Sequence, residues 1–309
     1  MTYLSVVIPV YNESSLIDEL IKRVKTNVQL ITEDFEIIIV DDGSKDSTWN
    51  SIEIEAKAEN KVKGIKLSKN FGHHYAITAG LQHAIGEWVV VMDGDLQDRP
   101  EVIPELYEKA QQGFEIVFVS RQNRPEKLYY RITQKVFYFI LRLLSGIKLD
   151  SSQANFSIIN RKVVEAFKLF PENSRFYGST INWLGFKRTS IFADHGLRHS
   201  GKPSYTLKKR IKLGTDIILA FSDRPLKFAI GLGLVISSVS IIVGVVIVIG
   251  GIENRFTVTG WASLMVSIFF LSGVLLIVMG ILGVYIGKIF NEMKHRPLYI
   301  VSEFLNKNN

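Results

Sequence analysis

Two short acidic stretches carry the strongest chemical suggestion in this chain. Asp93-Gly94-Asp95 follows an apolar run, Glu87 to Met92, so two carboxylates stand at one strand end with a glycine that lets the backbone turn between them. Hard divalent cations take oxygen ligands, often one or two carboxylates completed by substrate phosphates. Such a cation would neutralise a leaving diphosphate. Asp41-Asp42-Gly43-Ser44 follows a second apolar run, Glu36 to Val40. Its carboxylates and hydroxyl could bond a nucleoside base or ribose, or could simply turn the chain and help cap the next helix. Pro9 and Tyr11, closing a third run, could shape a floor beneath a base. Singly, each stretch is ambiguous. Their common position, just past a buried strand, ties them together.

The elements that must hold these groups are legible from residue 3 to residue 119. Apolar runs at 4–10, 36–40, 63–67, 87–92 and 115–119 alternate with amphipathic stretches at 16–28, 48–58, 74–84 and 102–111. That alternation predicts an α/β domain with a parallel sheet covered by helices. In open sheets of this kind ligands bind beyond the carboxyl ends of the strands. Tyr11 to Glu13, Asp41 to Asp46, Asn70 to His74 and Asp93 to Asp98 all fall there, so one pocket is expected.

Beyond residue 120 the pattern changes. Leu128 to Leu144 reads as a helix whose polar residues, Arg131, Gln134, Lys135, Tyr138 and Arg142, recur at helical spacing opposite an apolar face; it fits either the membrane interface or the sheet. Tyr205 to Phe221 reads as a second amphipathic helix with Lys208, Lys209, Arg210 and Lys212 beside its apolar face, as on a lipid surface. Phe228 to Ile252 then runs without a charge, roughly 37 Å as a helix against a hydrocarbon core of about 30 Å. A second uncharged stretch, Phe256 to Gly287, is densest from Leu264 to Ile286. Together they predict a transmembrane hairpin. Basic residues flank its two outer ends, whereas the connecting loop has only Glu253 and Arg255, so both termini are expected in the cytoplasm. The predicted layout is a cytoplasmic catalytic domain over 1–204, a juxtamembrane helix over 205–224, two spans over 225–290 and a cytoplasmic tail over 291–309.

Composition narrows the partners. The formal charge of +7 concentrates at 121–142 and 198–227, next to the apolar spans, which points to anionic lipid and phosphate rather than nucleic acid. The absence of cysteine excludes disulfides and thiolate metal sites. The start, MTYLSVVIPVYNE, does not read as a signal peptide. His195 and His199 have metal-pair spacing but no further ligands, so zinc is not expected, and His73 with His74 reads as the border of a helix rather than a proton-transfer pair. Self-association of the chain stays open.

The ordered series SVVIPVYNE (5–13), VDDGSKDST (40–48), LSKNFGHHYAITAGLQHAIGEWVVVMDGDLQDRPE (67–101), RHSGKPSYTLKK (198–209) and the two spans ending in HRPLYIV resembles family 2 glycosyltransferases of the polyprenyl-phosphate branch. That branch includes dolichyl-phosphate mannose synthase and bacterial undecaprenyl-phosphate glycosyltransferases. The resemblance covers nearly the whole chain. It implies a GT-A fold and inverting, metal-dependent transfer of a sugar from a nucleotide diphosphate to a polyprenyl phosphate, at a bacterial inner membrane. It further implies that Pro9, Tyr11, Glu13, Asp41 and Asp42 bind the nucleoside, that Asp93 lies near ribose and metal, and that Asp95 with Gln97 serves Mg²⁺ or Mn²⁺ and the diphosphate. Arg198, Lys202 and Ser204 would meet phosphate or acceptor, and a UDP-sugar is favoured over a GDP-sugar. Two departures stand out. Where many relatives have Gly-Asp-Phe-Arg this chain has Ala154-Asn155-Phe156-Ser157, and where many have Gly-Glu-Ser-Lys-Tyr it has Gly201-Lys202-Pro203-Ser204-Tyr205. Asn155 thus replaces a proposed catalytic Asp. It keeps alive a catalytically silent membrane scaffold as a rival, beside a processive polysaccharide synthase, for which two spans make a poor polymer channel.

Overall fold

Strand β1 (Leu4–Val10) is buried along its whole length, as is β2 (Phe35–Asp41). Only a sheet covered on both faces hides every side chain of a strand, and near-continuous apolar runs are its mark. The computed structural model describes residues 3–121, 153–170, 176–193, 224–252 and 260–306. Its sheet has eight strands, completed by β3 (Val62–Leu67), β4 (Trp88–Val91), β5 (Ile116–Arg121), β6 (Gln153–Asn160), β7 (Arg188–Ala193) and β8 (Val301–Leu305), in the order β7-β5-β6-β4-β1-β2-β3-β8. β4, β1, β2 and β3 are mutually parallel.

Helices α1 (Ile17–Val28), α2 (Thr48–Ala58) and α4 (Ile103–Ala110) pack with one face of the sheet, and α3 (His73–His83), α5 (Arg161–Lys168) and α6 (Tyr177–Trp183) with the other. α1 shows why: Ile17, Leu20, Ile21, Val24 and Val28 recur at helical spacing and are buried. Truncating one such residue, for example Leu20→Ala, would cost about 3 kcal/mol.

The sheet departs from the expected parallel arrangement in two places. β6 enters between β4 and β5, antiparallel to both. β8 pairs antiparallel with β3, so part of the segment expected as a cytoplasmic tail belongs to the sheet. Indole Nε1 of Trp49 donates to Glu303 at 2.8 Å, and the Asn306 amide donates to the carbonyls of Ala56 and Val62. The α/β elements and Arg296–Asn309 form one compact unit; a second contains the helices α7 (Arg224–Ile252) and α8 (Trp261–Met293).

α7 and α8 contain windows, Leu226–Val243 and Phe270–Met293, with mean hydropathy 2.2 and 2.3, of which 6% and 0% is buried. Both are long and apolar enough to cross a membrane, and little of either window is buried. The expected helices over Leu128 to Leu144 and Tyr205 to Phe221 lie outside the described residues.

Candidate active site

The carboxyl ends of β1, β2, β3 and β4 converge on a cleft of about 240 Å³. β1 contributes Pro9, Val10, Tyr11 and Glu13; β2 contributes Asp42; the loop after β3 contributes Asn70, Gly72 and His73; β4 contributes Asp93, Gly94 and Asp95. The expectation of one strand-end pocket holds for these residues.

Hydrogen bonds between the loops fix its shape. Asn12 N–H donates to Ser44 Oγ and Lys45 N–H to Asn12 Oδ1, both at 2.9 Å, while Glu13 N–H donates to Thr48 Oγ1. The loops after β1 and β2 are thereby joined. Asp42 accepts from the backbone N–H groups of Phe71 (2.8 Å) and Gly72 (2.9 Å), which ties the loop after β3 to the end of β2. Gly43, at φ +68°, makes this approach possible. A Cβ there would lie 2.3 Å from the carbonyl carbon of Lys69. The turn after β4 packs as closely: a Cβ on Gly94 would lie 2.6 Å from Val10 Cγ1 and 2.7 Å from Glu13 Oε2. Asp95 Oδ1 accepts from Gln97 N–H at 3.1 Å, and buried Asp98 accepts from Asp93 N–H at 3.1 Å. The acidic turn is thus held by its own backbone.

Glu13, Asp42, Asp93 and Asp95 surround the cleft with negative charge. Burial pushes the Asp42 carboxyl above its usual pKa, against the two backbone donors and the charge of His73, with Asp41 adding repulsion. Like charges this close repel, and a divalent cation bridging to phosphate would relieve that repulsion. Among the described residues no group of three His, Cys, Asp or Glu side chains could hold a metal by itself. Carboxylate oxygens such as those of Asp93 and Asp95 are of the kind a hard cation takes when substrate oxygens complete its shell.

Several expected site residues sit elsewhere. Asp41 is fully buried and does not line the cleft; its Oδ1 accepts from Ser44 N–H at 2.9 Å and shapes the turn, while its Oδ2 is buried without a hydrogen bond. Gln97 does not line the cleft and instead braces Asp95 through its backbone. Arg198, Lys202 and Ser204 lie outside the described residues, as do His195 and His199.

Asn155 is brought to the site by register. β4 and β6 pair antiparallel with Val91 opposite Ser157, and continuing that register by two residues sets Asp93 opposite Asn155. His73, expected only to border a helix, opens α3 and also lines the cleft. Its Nε2 is 3.1 Å from Asp93 Oδ1 and 3.2 Å from Asn155 Nδ2. Burial opposes its charge, but Asp93, with Asp42 and Glu13 behind it, outweighs that and raises its pKa. His74 turns away; burial, then the neighbouring His73, lower it to about 4, and its Nδ1 accepts from Tyr177 N–H. The signal for His73 was its position directly after Asn70-Phe71-Gly72 at a strand end.

Residues 5–167 match the sequence model of Glycosyl transferase family 2. The chain is 37% identical over 300 residues to an uncharacterized glycosyltransferase, YkcC, of Bacillus subtilis (strain 168), covering 97% of this chain and 93% of that one. It is 36% identical over 299 residues to the bactoprenol glucosyl transferase of Shigella phage SfV, covering 96% and 97%. Among solved structures, glucosyl-3-phosphoglycerate synthase from Mycobacterium tuberculosis with Mn²⁺, UDP-glucose and phosphoglyceric acid aligns with a TM-score of 0.48 at 21% identity, covering 71% of this chain and 78% of that chain.

Proposed function

The chain belongs to glycosyl transferase family 2, with the GT-A fold, and on that premise we propose that it transfers a sugar from a nucleotide diphosphate to a polyprenyl phosphate. The observation that carries the proposal is the likeness to bactoprenol glucosyl transferases over almost the full length, two long apolar helices included. A soluble acceptor would need no such helices.

In this reading Tyr11, 40% exposed at the mouth of the cleft, lies against the base. Asp42 holds the loop after β3 so that Asn70 and Gly72 form the opposite wall. Asp93 and Asp95 would hold Mg²⁺ or Mn²⁺, which supplies charge neutralisation for the leaving diphosphate. The cleft is below the roughly 300–1,000 Å³ of common ligand pockets, so a nucleotide sugar would extend past its mouth. Asn155 does not disable this chemistry. A phosphate monoester has a second pKa near 6 and is mostly dianionic at neutral pH, so its attacking oxygen needs no base. An amide near Asp93 can orient a group by hydrogen bonding without repelling that dianion.

The hairpin reading gains support from β8. A strand hydrogen-bonded to β3 lies on the same side of any membrane as the sheet, so this pairing supports an even number of spans before it. Two spans satisfy this, with the α/β domain on the basic, cytoplasmic side.

The test incubates the purified chain in detergent with undecaprenyl phosphate, Mg²⁺ or Mn²⁺, and radiolabelled UDP- and GDP-sugars, and counts label in the organic phase. Metal-dependent label from one donor, favouring UDP, is expected. No label from any donor with either metal refutes the proposal and leaves the scaffold. Long polymer in the aqueous phase would instead indicate a processive synthase.

A further inference from the structure

One side chain in the cleft has partners on two other elements. His73 stands at the first position of α3; Asp93 follows β4; Asn155 lies in β6. Nothing in the transfer chemistry above uses the imidazole. We propose that His73 is a positioning residue for the reaction: its Nε2–H fixes the Asp93 carboxylate, and Asn155 is the amide matched to that same N–H. The proposal rests on the glycosyl-transfer reading.

The tautomer follows from the partners. Asp93 Oδ1 is buried 3.1 Å from Nε2, and since an ionised carboxylate only accepts, the proposed bond requires that Nε2 carry a proton. A protonated ring nitrogen cannot also accept from the Asn155 NH₂ group at 3.2 Å. The oxygen and nitrogen of an amide side chain have nearly the same shape, and the hydrogen-bond network decides their placement. Asn155 therefore turns its Oδ1 to the imidazole, and one N–H is shared between Asp93 and Asn155. The charged acceptor takes the stronger share.

This gives Asn155 a physical reason. A carboxylate at 155 would compete with Asp93 for the single N–H on equal terms and draw the ring away from it. An amide competes weakly and leaves Asp93 held. The ring is also held from behind. Gly72 N–H is bonded to Asp42, anchoring the first turn of α3, and His74 meets the ring edge-on at 5.5 Å. His74 in turn packs on Phe176 at 5.4 Å.

The experiment measures kcat, and KM for donor and lipid, on the full chain in detergent for the native protein, His73→Ala, His73→Gln, Asn155→Asp and His73→Ala/Asn155→Asp. Glutamine can present an amide N–H near the place of Nε2. A hydrogen bond to a charged group is worth enough that His73→Ala should lower kcat about tenfold or more while donor KM stays within about twofold; His73→Gln should recover to within about threefold. Asn155→Asp should lower kcat in the native background and have a smaller effect beside His73→Ala, where no shared N–H is left to contest. Equal activity of the Ala and Gln variants, or equal losses that track their melting temperatures, overturns the proposal while the native rate leaves the transferase reading standing. Should His73→Ala fail to fold, the ¹⁵N shifts of His73 in the native chain decide: an Nδ1–H tautomer overturns the contact. A native chain inert with every donor overturns the functional reading instead.

Discussion

Gly43→Ala tests the join between fold and site most directly. A Cβ at this position would stand 2.3 Å from the carbonyl carbon of Lys69, 2.6 Å from the nitrogen of Asn70 and 2.7 Å from the Lys69 Cα, all backbone atoms. No rotamer change can relieve that overlap, and ordinary contact begins at 3.4 Å, so the loop after β3 must retreat by about 1 Å. The φ of +68° adds about 1 kcal/mol for an L side chain. A retreat of that size strains the bonds from Phe71 and Gly72 to Asp42, 2.8 and 2.9 Å long, and carries one of them past useful length. Losing one such bond to a charged group costs about 2 kcal/mol, so the total is about 3 kcal/mol. A domain of ordinary stability survives that. The cleft does not keep its shape, because Asn70, Gly72 and His73 move with the loop, and a 1 Å misplacement can cost about 100-fold in rate. In detergent, Gly43→Ala should melt several degrees lower, bind UDP with Mn²⁺ at least about tenfold more weakly and transfer about 100-fold more slowly. Native affinity for UDP together with a native melting temperature would refute the reasoning.

Three further outcomes are expected. Asp95→Asn should remove transfer by about 100-fold or more without moving the melting temperature, since a neutral amide is a poor ligand for a hard cation; full activity would remove Asp95 from the metal site. Acid should destabilise the domain through His74: its pKa falls from 6.5 unfolded to about 4 folded, so its contribution is complete above pH 6.5, is lost as pH falls toward 4, and amounts to about 3 kcal/mol. Melting temperatures from pH 7 to 4 should fall less steeply in His74→Asn, which keeps an acceptor for Tyr177 N–H, and an unchanged slope would clear His74. A reporter fused after Asn309 and another inserted near Asn254 should report opposite sides of the membrane, the first cytoplasmic; signals from the same side would remove the hairpin.

The sequence revealed those parts of the molecule that depend on local pattern. The five apolar runs before residue 120 became β1 to β5, and the stretch at 48–58 became α2 with those same bounds, because alternating runs and helical spacing report burial directly. β6 escaped because nothing local says that a strand beginning at Gln153, long after β5 ends at Arg121, will enter between β4 and β5, antiparallel to both. β8 escaped for a different reason. Val301–Leu305 is short, mostly exposed and set just after a long apolar helix, so its partner is known only once β3 is seen to be an open edge.

The same distinction divides the site. Asp42, Asp93 and Asp95 were legible because a carboxylate immediately past a buried strand must lie at the sheet's carboxyl edge, whatever the strand order. Their supports were not. Asp41 and Asp42 are adjacent in sequence, yet period-two alternation sends one into the turn and the other into the cleft. Asn155 could be recognised as a departure from a family pattern, but its meaning depends on a pairing register: with Val91 opposite Ser157, residues 93 and 155 face one another, and a shift of one residue would turn Asn155 to the other face of the sheet. Only then do three residues separated by 20 and more positions, His73, Asp93 and Asn155, become neighbours within 3.2 Å. A substitution that looked like a lost base on its own is, beside that imidazole, a choice of acceptor strength. The consequence is specific: the activity of any carboxylate placed at 155 depends on what stands at 73.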